Sequence, residues 1–371
     1  MVDTKTQYLK IKNEIDTAIQ NVLDSAAYIN GKAVHDFTQS LNNYIGSKHT
    51  IPCGNGTDAL QISLMALGLQ PGDEVITPSF TFIAAAEVVA LLKIKPVFVD
   101  VDKETYCLDV AGIEKAITPR TKAIIPVHLY GHAANMEKIM QLAAKHNLYV
   151  IEDNAQAIGC NYIFSDGTKM KTGNIGHIGC TSFYPSKNLG AFGDGGAIFT
   201  NDDAIAEKIK MIANHGQSKR YYHDMVGVNS RLDSIQAAIL NEKLKHLDEY
   251  VSARQKAAAF YNKAFASHPK IIIPSVAKYS NHVYHQYTLV LENANRDELK
   301  NYLDEKKIPS MIYYPVPAHQ QKMFENFSFN MHYNLPVTDW LTKRVISLPM
   351  HTELDDEQLS YITTEVLNFL K

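Results

Sequence analysis

Only four of the 371 residues are cysteine. Cys53, Cys107, Cys160 and Cys180 stand far apart with no CxxC spacing, which argues against a disulfide framework and leaves buried, reduced thiols as the expectation. No apolar run reaches the roughly 20 residues needed to span a bilayer, and Met1–Gln7 has no apolar signal core. These absences predict a cytoplasmic protein. Neither sign of charge dominates, with 36 Lys and Arg against 39 Asp and Glu for a net charge of −3. No basic stripe therefore argues for nucleic acid and no polybasic cluster for a membrane surface, so small molecules or protein are the expected partners. Internal repeats and low-complexity linkers are absent too. The sequons Asn55-Gly56-Thr57 and Asn326-Phe327-Ser328 carry no meaning without a secretory signal. Among 15 His residues, His128 and His132 are four apart, but Gly131 lies between them and they follow the apolar run Ala123–Val127. They belong to a loop rather than one helix face, and no metal site is expected.

What the chain does have is alternation. From about residue 50 to 245, short apolar runs alternate with amphipathic helical stretches, the pattern of an α/β fold with a mostly parallel sheet. Strands are expected at Glu74–Thr77, Pro96–Val99, Lys122–Val127, Leu148–Glu152, Gly179–Phe183 and Gly196–Thr200. Ligands of such sheets gather at the carboxyl ends of the strands, where Asp153 would lie just past its own. Ile11, Ile15, Ala18, Ile19 and Val22 fall at helical spacing before the sheet; Leu232, Ile235, Ile239 and Leu247 do so after it, with Ser230 as N-cap and Asp233 completing a capping box. A strand at His285–Leu291 and helices at Asp297–Lys306 and Asp355–Leu370 follow. The chain is expected to divide into a large domain, 1–245, and a smaller α+β domain, 246–371.

The most informative residue is Lys187, in Thr181-Ser182-Phe183-Tyr184-Pro185-Ser186-Lys187-Asn188-Leu189-Gly190. A lone loop lysine is ordinarily a solvated charge. Here aromatic and apolar neighbours suggest a packed cavity wall, and Val150-Ile151-Glu152-Asp153-Asn154-Ala155-Gln156 supplies an acidic partner upstream. Pyridoxal phosphate chemistry needs this pair, an amine for a Schiff base with the cofactor aldehyde and a carboxylate to keep the pyridine nitrogen protonated. Desolvation would lower the lysine pKa and supply the neutral amine. Cys53-Gly54-Asn55-Gly56-Thr57-Asp58-Ala59-Leu60 reads either as a phosphate cradle at a helix N-terminus or as a tight turn with Thr57 or Asp58 as N-cap. Ser182 could add a hydroxyl to the same phosphate. Gln156, three residues past Asp153, could donate its amide to the ring hydroxyl oxygen, and Phe82 could stack on the pyridine face. Gly227-Val228-Asn229-Ser230-Arg231 reads as a polar turn that opens a helix.

Together, Asn55–Leu60, Gly72–Pro78, Glu152–Gln156, Pro185-Ser186-Lys187 and Gly193-Asp194-Gly195-Gly196 resemble the nucleotide-sugar aminotransferases of the DegT/DnrJ/StrS family. The likeness covers nearly the whole chain. It implies the aspartate aminotransferase fold (fold type I), pyridoxal 5′-phosphate as cofactor, and a homodimer whose active sites are built from both subunits. In that scheme Lys187 binds the cofactor covalently, Asp153 partners the pyridinium, Gln156 contacts the ring oxygen and Phe82 stacks. Gly56, Thr57, Asp58 and Ser182 hold the phosphate, which Asn229 reaches from the neighbouring subunit. The UDP part of a substrate would lie near Arg231, Tyr314 and His319, with Tyr184 and Tyr313 also at the sugar.

Within the family, His215-Gly216-Gln217, Val226–Asp233 and Thr118–Pro126 are similar to members that aminate C3 of UDP-2-acetamido-2-deoxy-3-oxo-glucuronate in O-antigen synthesis. Tyr184 stands where those members have Phe, and Ile312-Tyr313-Tyr314-Pro315 replaces a Val-His-Tyr-Pro run. The resemblance implies transfer of an amino group from glutamate to a nucleotide-linked keto sugar. Alternatives are a dTDP-linked 3-keto- or 4-keto-6-deoxyhexose as substrate, or a pyridoxal phosphate-binding regulatory protein without turnover. Lys187 argues against the related dehydratases, which carry His at that position.

Overall fold

The computed structural model of the protein describes residues 1–325, 327 and 333–371. The sequon residues Asn326 and Ser328 lie outside them. Nine strands run through the first 200 residues: β1 (His49–Cys53), β2 (Glu74–Pro78), β3 (Lys95–Val99), β4 (Thr121–Ile124), β5 (Tyr149–Asp153), β6 (Asn161–Ile163), β7 (Lys169–Lys171), β8 (Ile178–Ser182) and β9 (Gly196–Thr200). β6 and β7 form a small hairpin, and the other seven make one sheet in the order β1-β9-β8-β5-β4-β2-β3. β9 pairs antiparallel with both β1 and β8, while every other pairing is parallel. Six strands therefore send their carboxyl ends to one side. β2 and β9 are buried along their whole length, as expected of strands covered on both faces.

All six expected strands are present within a few residues. β1 is the addition: an edge strand carrying Pro52, a residue that weakens any strand reading. Asp153 is the last residue of β5 rather than the first beyond it. The first amphipathic stretch is broken at Ile11, between helices Thr4–Lys10 and Lys12–Ser25. The helix expected from Ser230 starts at Ser234, with Asp233 at the N-cap but making no side-chain cap, and Leu247 begins a second helix, Leu247–Phe265. Ser230 is not a cap because its hydroxyl is spent on Gly54, just before helix Gly56–Ala66, and on Asp58 in that helix's first turn.

Ile271–Ile272, Tyr287–Leu291 and Val345–Leu348 form an antiparallel three-stranded sheet with its own apolar cluster, including Tyr261, Phe265, Leu289, Leu303 and Val366. Helix Asp356–Leu370 opens with a full capping box between Asp355 and Gln358. His285 and Gln286 precede the strand instead of joining it. Gln286 N–H donates to the Tyr130 carbonyl at 3.3 Å, and the buried Arg254 guanidinium donates to the carbonyls of Tyr284 (3.2 Å), His285 (3.4 Å) and Met350 (3.0 Å). These bonds draw the segment towards the end of the large sheet. The four cysteines are buried and unpaired, and no helix among the described residues is long and apolar enough to cross a membrane.

Candidate active site

A cavity of 870 Å³ opens at the carboxyl ends of the parallel strands, and β5 and β8 supply its floor. Side chains alternate along a strand, so Glu152 and Asp153 face opposite ways. Glu152 is fully buried, accepting N–H bonds from Gly173 (2.8 Å), Ile175 (2.6 Å) and Gly176 (2.6 Å) and pairing with His128 Nε2 at 2.8 Å. His128 Nδ1 accepts from Ala134 N–H at 3.0 Å, which places the ring proton on Nε2 and makes the imidazole the donor to Glu152. His132 Nε2 accepts from Ala277 N–H at 3.0 Å, so the two histidines serve loops.

Asp153 lines the cavity. Among the described residues the only hydrogen bond to its carboxylate is from Ala155 N–H to Oδ1, at 3.0 Å. Burial pushes its pKa up, while the Ala155 N–H, Lys187 and His128 draw it back down. Lys187 lines the same cavity from the loop after β8. That loop is tied by Lys187 N–H to the Tyr184 carbonyl (2.8 Å), Ala191 N–H to the Phe183 carbonyl (2.7 Å) and Lys243 Nζ to the Gly190 carbonyl (2.5 Å). A Cβ on Gly190 would lie 2.4 Å from the Pro185 oxygen, so only glycine closes the turn. Phe183 and Leu189 are buried as expected, but Tyr184 is 56% exposed at the cavity mouth rather than packed into a wall. Desolvation lowers the Lys187 pKa to about 8, opposed by Asp153.

Helix Gly56–Ala66 points its N-terminus at the cavity, and Asn55, not Thr57 or Asp58, is the N-cap, its side chain accepting Asp58 N–H at 2.8 Å. A Cβ on Gly56 would come within 2.7 Å of Ser182 Cβ, so glycine lets the helix end and the Ser182 hydroxyl share one concavity. Thr57 and Asp58 also line it; the Asp58 carboxylate accepts the Ser230 hydroxyl at 2.6 Å. Gln156 Oε1 accepts Tyr130 N–H at 2.7 Å, which fixes the amide so that Nε2 is the group presented to Tyr314 Oη, at 3.1 Å. Phe82, 54% exposed, stands 6.3 Å from the Tyr314 ring.

The cavity thus gathers Gly56, Thr57, Asp58, Phe82, Asp153, Gln156, Ser182, Tyr184, Lys187, Tyr313 and Tyr314. It does not gather three expected residues. Asn229 is exposed and accepts from Arg231 Nη1 at 2.5 Å, and Arg231 Nη2 also holds Asn214 Oδ1 at 2.7 Å. His319 packs near Phe98 and Tyr333, its Nδ1 2.6 Å from the Ser79 hydroxyl. Asn55, Ser186, Asp194, His285 and Gln286 line the cavity although the sequence reading did not select them. Asn55 was open to selection as an N-cap three residues before Asp58. His285 and Gln286 carry no local signal, since Arg254 and Tyr130 bring them there.

The family model of DegT/DnrJ/EryC1/StrS aminotransferases matches residues 9–367. The chain belongs to that family. It is 46% identical over 367 residues to UDP-2-acetamido-2-deoxy-3-oxo-D-glucuronate aminotransferase of Pseudomonas aeruginosa, covering 99% of each chain. It is 47% identical over 366 residues to UDP-N-acetyl-3-dehydro-alpha-D-glucosamine 3-aminotransferase of Acidithiobacillus ferrooxidans, covering 99% of this chain and 96% of that one. Among solved structures, DesV of S. venezuelae in complex with a ketimine intermediate superposes with a TM-score of 0.94 at 39% identity, over 100% of this chain and 98% of that one. The protein is a sugar aminotransferase of the fold type I, pyridoxal 5′-phosphate-dependent class. The cavity suits that cofactor. It offers a lysine with a lowered pKa, a buried carboxylate with one hydrogen-bond partner, and a glycine-relieved helix end beside a serine hydroxyl.

Proposed function

We propose that the protein transfers the amino group of glutamate to C3 of UDP-2-acetamido-2-deoxy-3-oxo-glucuronate, as a cytoplasmic homodimer making a precursor of a bacterial surface polysaccharide such as O-antigen. The observation that carries the reading is that Asp153, at the end of β5, and Lys187, on the loop after the neighbouring strand β8, face one cavity. The bound cofactor would supply an electron sink for the carbon that exchanges its amino group. Lys187 anchors it and, once released, carries the proton between the cofactor and the substrate carbon. A pKa of about 8 rather than 10.5 raises the neutral-amine fraction near pH 7 by roughly 300-fold.

Asp153 would pair with the ring nitrogen, and the charge of a protonated ring would relieve the cost of burying the carboxylate. Gln156, its amide oriented by Tyr130, would donate from Nε2 to the ring oxygen, and Phe82 would stack on the ring. Gly56, Thr57, Asp58 and Ser182, at the N-terminus of helix Gly56–Ala66, would hold the cofactor phosphate, with the positive end of the helix dipole behind them. Asn229 of the partner subunit completes the cradle, and Arg231 of the partner subunit offers a planar fork to the diphosphate or the uronate carboxylate. Their place outside their own chain's cavity supports this reading. Tyr184, Tyr313 and Tyr314 contact the sugar. His319 is left out of this set, its Nδ1 being engaged with Ser79. The large domain takes residues 1–245 and the small one 246–371.

The test presents purified protein and glutamate with two ketosugars made in place, UDP-2-acetamido-2-deoxy-3-oxo-glucuronate and a dTDP-linked 3-keto-6-deoxyhexose. Higher kcat/KM for the first is expected. Preference for the second would overturn the uronate assignment, and no transfer to either would overturn the nucleotide-sugar reading.

A further inference from the structure

Asp58 poses an electrostatic difficulty, because a carboxylate in the first turn beside a phosphate repels it. In the structure one hydroxyl holds that carboxylate in place. Ser230, 2% exposed, donates from Oγ to Asp58 Oδ2 at 2.6 Å and accepts Gly54 N–H at 2.8 Å. One oxygen therefore spans both sides of the turn that leads into helix Gly56–Ala66. The fit is close, since a Cβ on Gly54 would lie 3.0 Å from Asp58 Oδ2 and 3.3 Å from Ser230 Oγ.

Ser230 is also the middle residue of Asn229-Ser230-Arg231. Its N–H donates to the Ala213 carbonyl at 3.0 Å, and Arg231 holds both Asn229 and Asn214, so the segment is anchored to the end of helix Asp203–Ala213 and to the cradle together.

We propose that Ser230 is a positioning residue that couples the two active sites of the dimer, tying each chain's own phosphate cradle to the Asn229–Arg231 segment it lends to its partner. The inference rests on the shared-site reading above. Cofactor phosphate in one cradle orders the Gly54–Asp58 turn; Ser230 passes that order to Asn229, which serves the other site. Asp58 of a lending chain acts on the partner's site only by this route, because its own cavity is a different one.

Differently tagged chains allow hybrid dimers to be purified and their cofactor affinity followed by the visible absorbance of covalently held pyridoxal phosphate. Only a chain with Lys187 gives that signal. The reference hybrid joins a wild-type chain to a Lys187→Ala chain. Adding Ser230→Ala to the Lys187→Ala chain should weaken cofactor binding at the unaltered chain by about 5- to 20-fold. Adding Asp58→Ala instead should give the same loss, and adding both should give no more. Reference-like affinity in the Ser230→Ala and Asp58→Ala hybrids would overturn the proposal, as would additive losses. A hybrid carrying Asn229→Ala separates the two ideas. If it alone weakens binding, sharing holds and the Ser230 link fails; if it too is unchanged, the shared-site reading fails as well. Thermal melting of each hybrid verifies that the chains are folded and paired.

Discussion

The cavity floor and the segment Gln217–Arg231 belong to one chain but differ in how they are built. On the floor, Asp153 ends a buried strand, Glu152 behind it is held by three N–H bonds and His128, and Lys187 is fixed by a glycine turn and the Lys243 ammonium. The segment is largely exposed by contrast, with Tyr221 at 77% and Val226 at 83% and only Ser230 buried, and its Asn229 and Arg231 lie away from their own cavity. Groups that perform bond chemistry sit where the chain over-determines them. In the proposed scheme, groups that complete phosphate and substrate binding sit where a second copy can reach.

The severest way to break the floor is Lys187→Ala, which in the proposed scheme removes both the covalent anchor and the proton carrier. Multiple turnover should fall by at least about 10³-fold and borohydride should no longer fix cofactor to the protein. Near-normal turnover in this variant would show that another residue is the anchor. Asp153→Asn keeps the shape but cannot hold the ring nitrogen protonated. Cofactor should remain bound while kcat drops by on the order of 10²-fold, and a wild-type kcat would remove Asp153 from the mechanism.

The exposed segment should respond less. Arg231→Ala is expected to lose about 1.5 to 3 kcal/mol of transition-state binding in kcat/KM for the uronate substrate, the range of a charged hydrogen bond. An equal loss with a neutral deoxyhexose substrate would assign the arginine to the diphosphate rather than the carboxylate. For the floor, a milder probe is pH. The Lys187 pKa is lowered, so its reactive neutral form gains as pH rises towards about 8. The rate at which apoprotein captures pyridoxal phosphate should climb about tenfold per unit below that value and level off above it. A midpoint near 10.5 would mean that Lys187 is not desolvated. The gentlest comparison of the two regions is complementation. At cofactor too dilute to load Asn229→Ala dimers, equal mixtures of Lys187→Ala and Asn229→Ala chains should regain roughly a quarter of wild-type activity, since half the dimers then carry one intact site. Mixtures that stay inactive after verified exchange would place the whole site in one chain.

Strand order along the chain, the parallel character of most of the sheet, the paired Lys187 and Asp153, and the glycine-fed helix at Gly56 were all legible in the residues. Most of these are local, since a buried parallel strand must be apolar throughout and a helix end needs its glycine nearby, while Lys187 and Asp153 were matched by their chemistry. The antiparallel sense of β9 was not legible, because an apolar run reads the same in either direction. Edge strand β1 was obscured by Pro52. Ser230 looked like a cap because serine favours that place, and only tertiary packing gave its hydroxyl a stronger partner in Asp58, 172 residues away. The same holds for His285 and Gln286, which reach the cavity because Arg254 and Tyr130 bind their backbone. Residue type and spacing determined which chemistry the chain can perform. Long-range hydrogen bonds, which have no local pattern, decided which side chains share the cavity and which face outward.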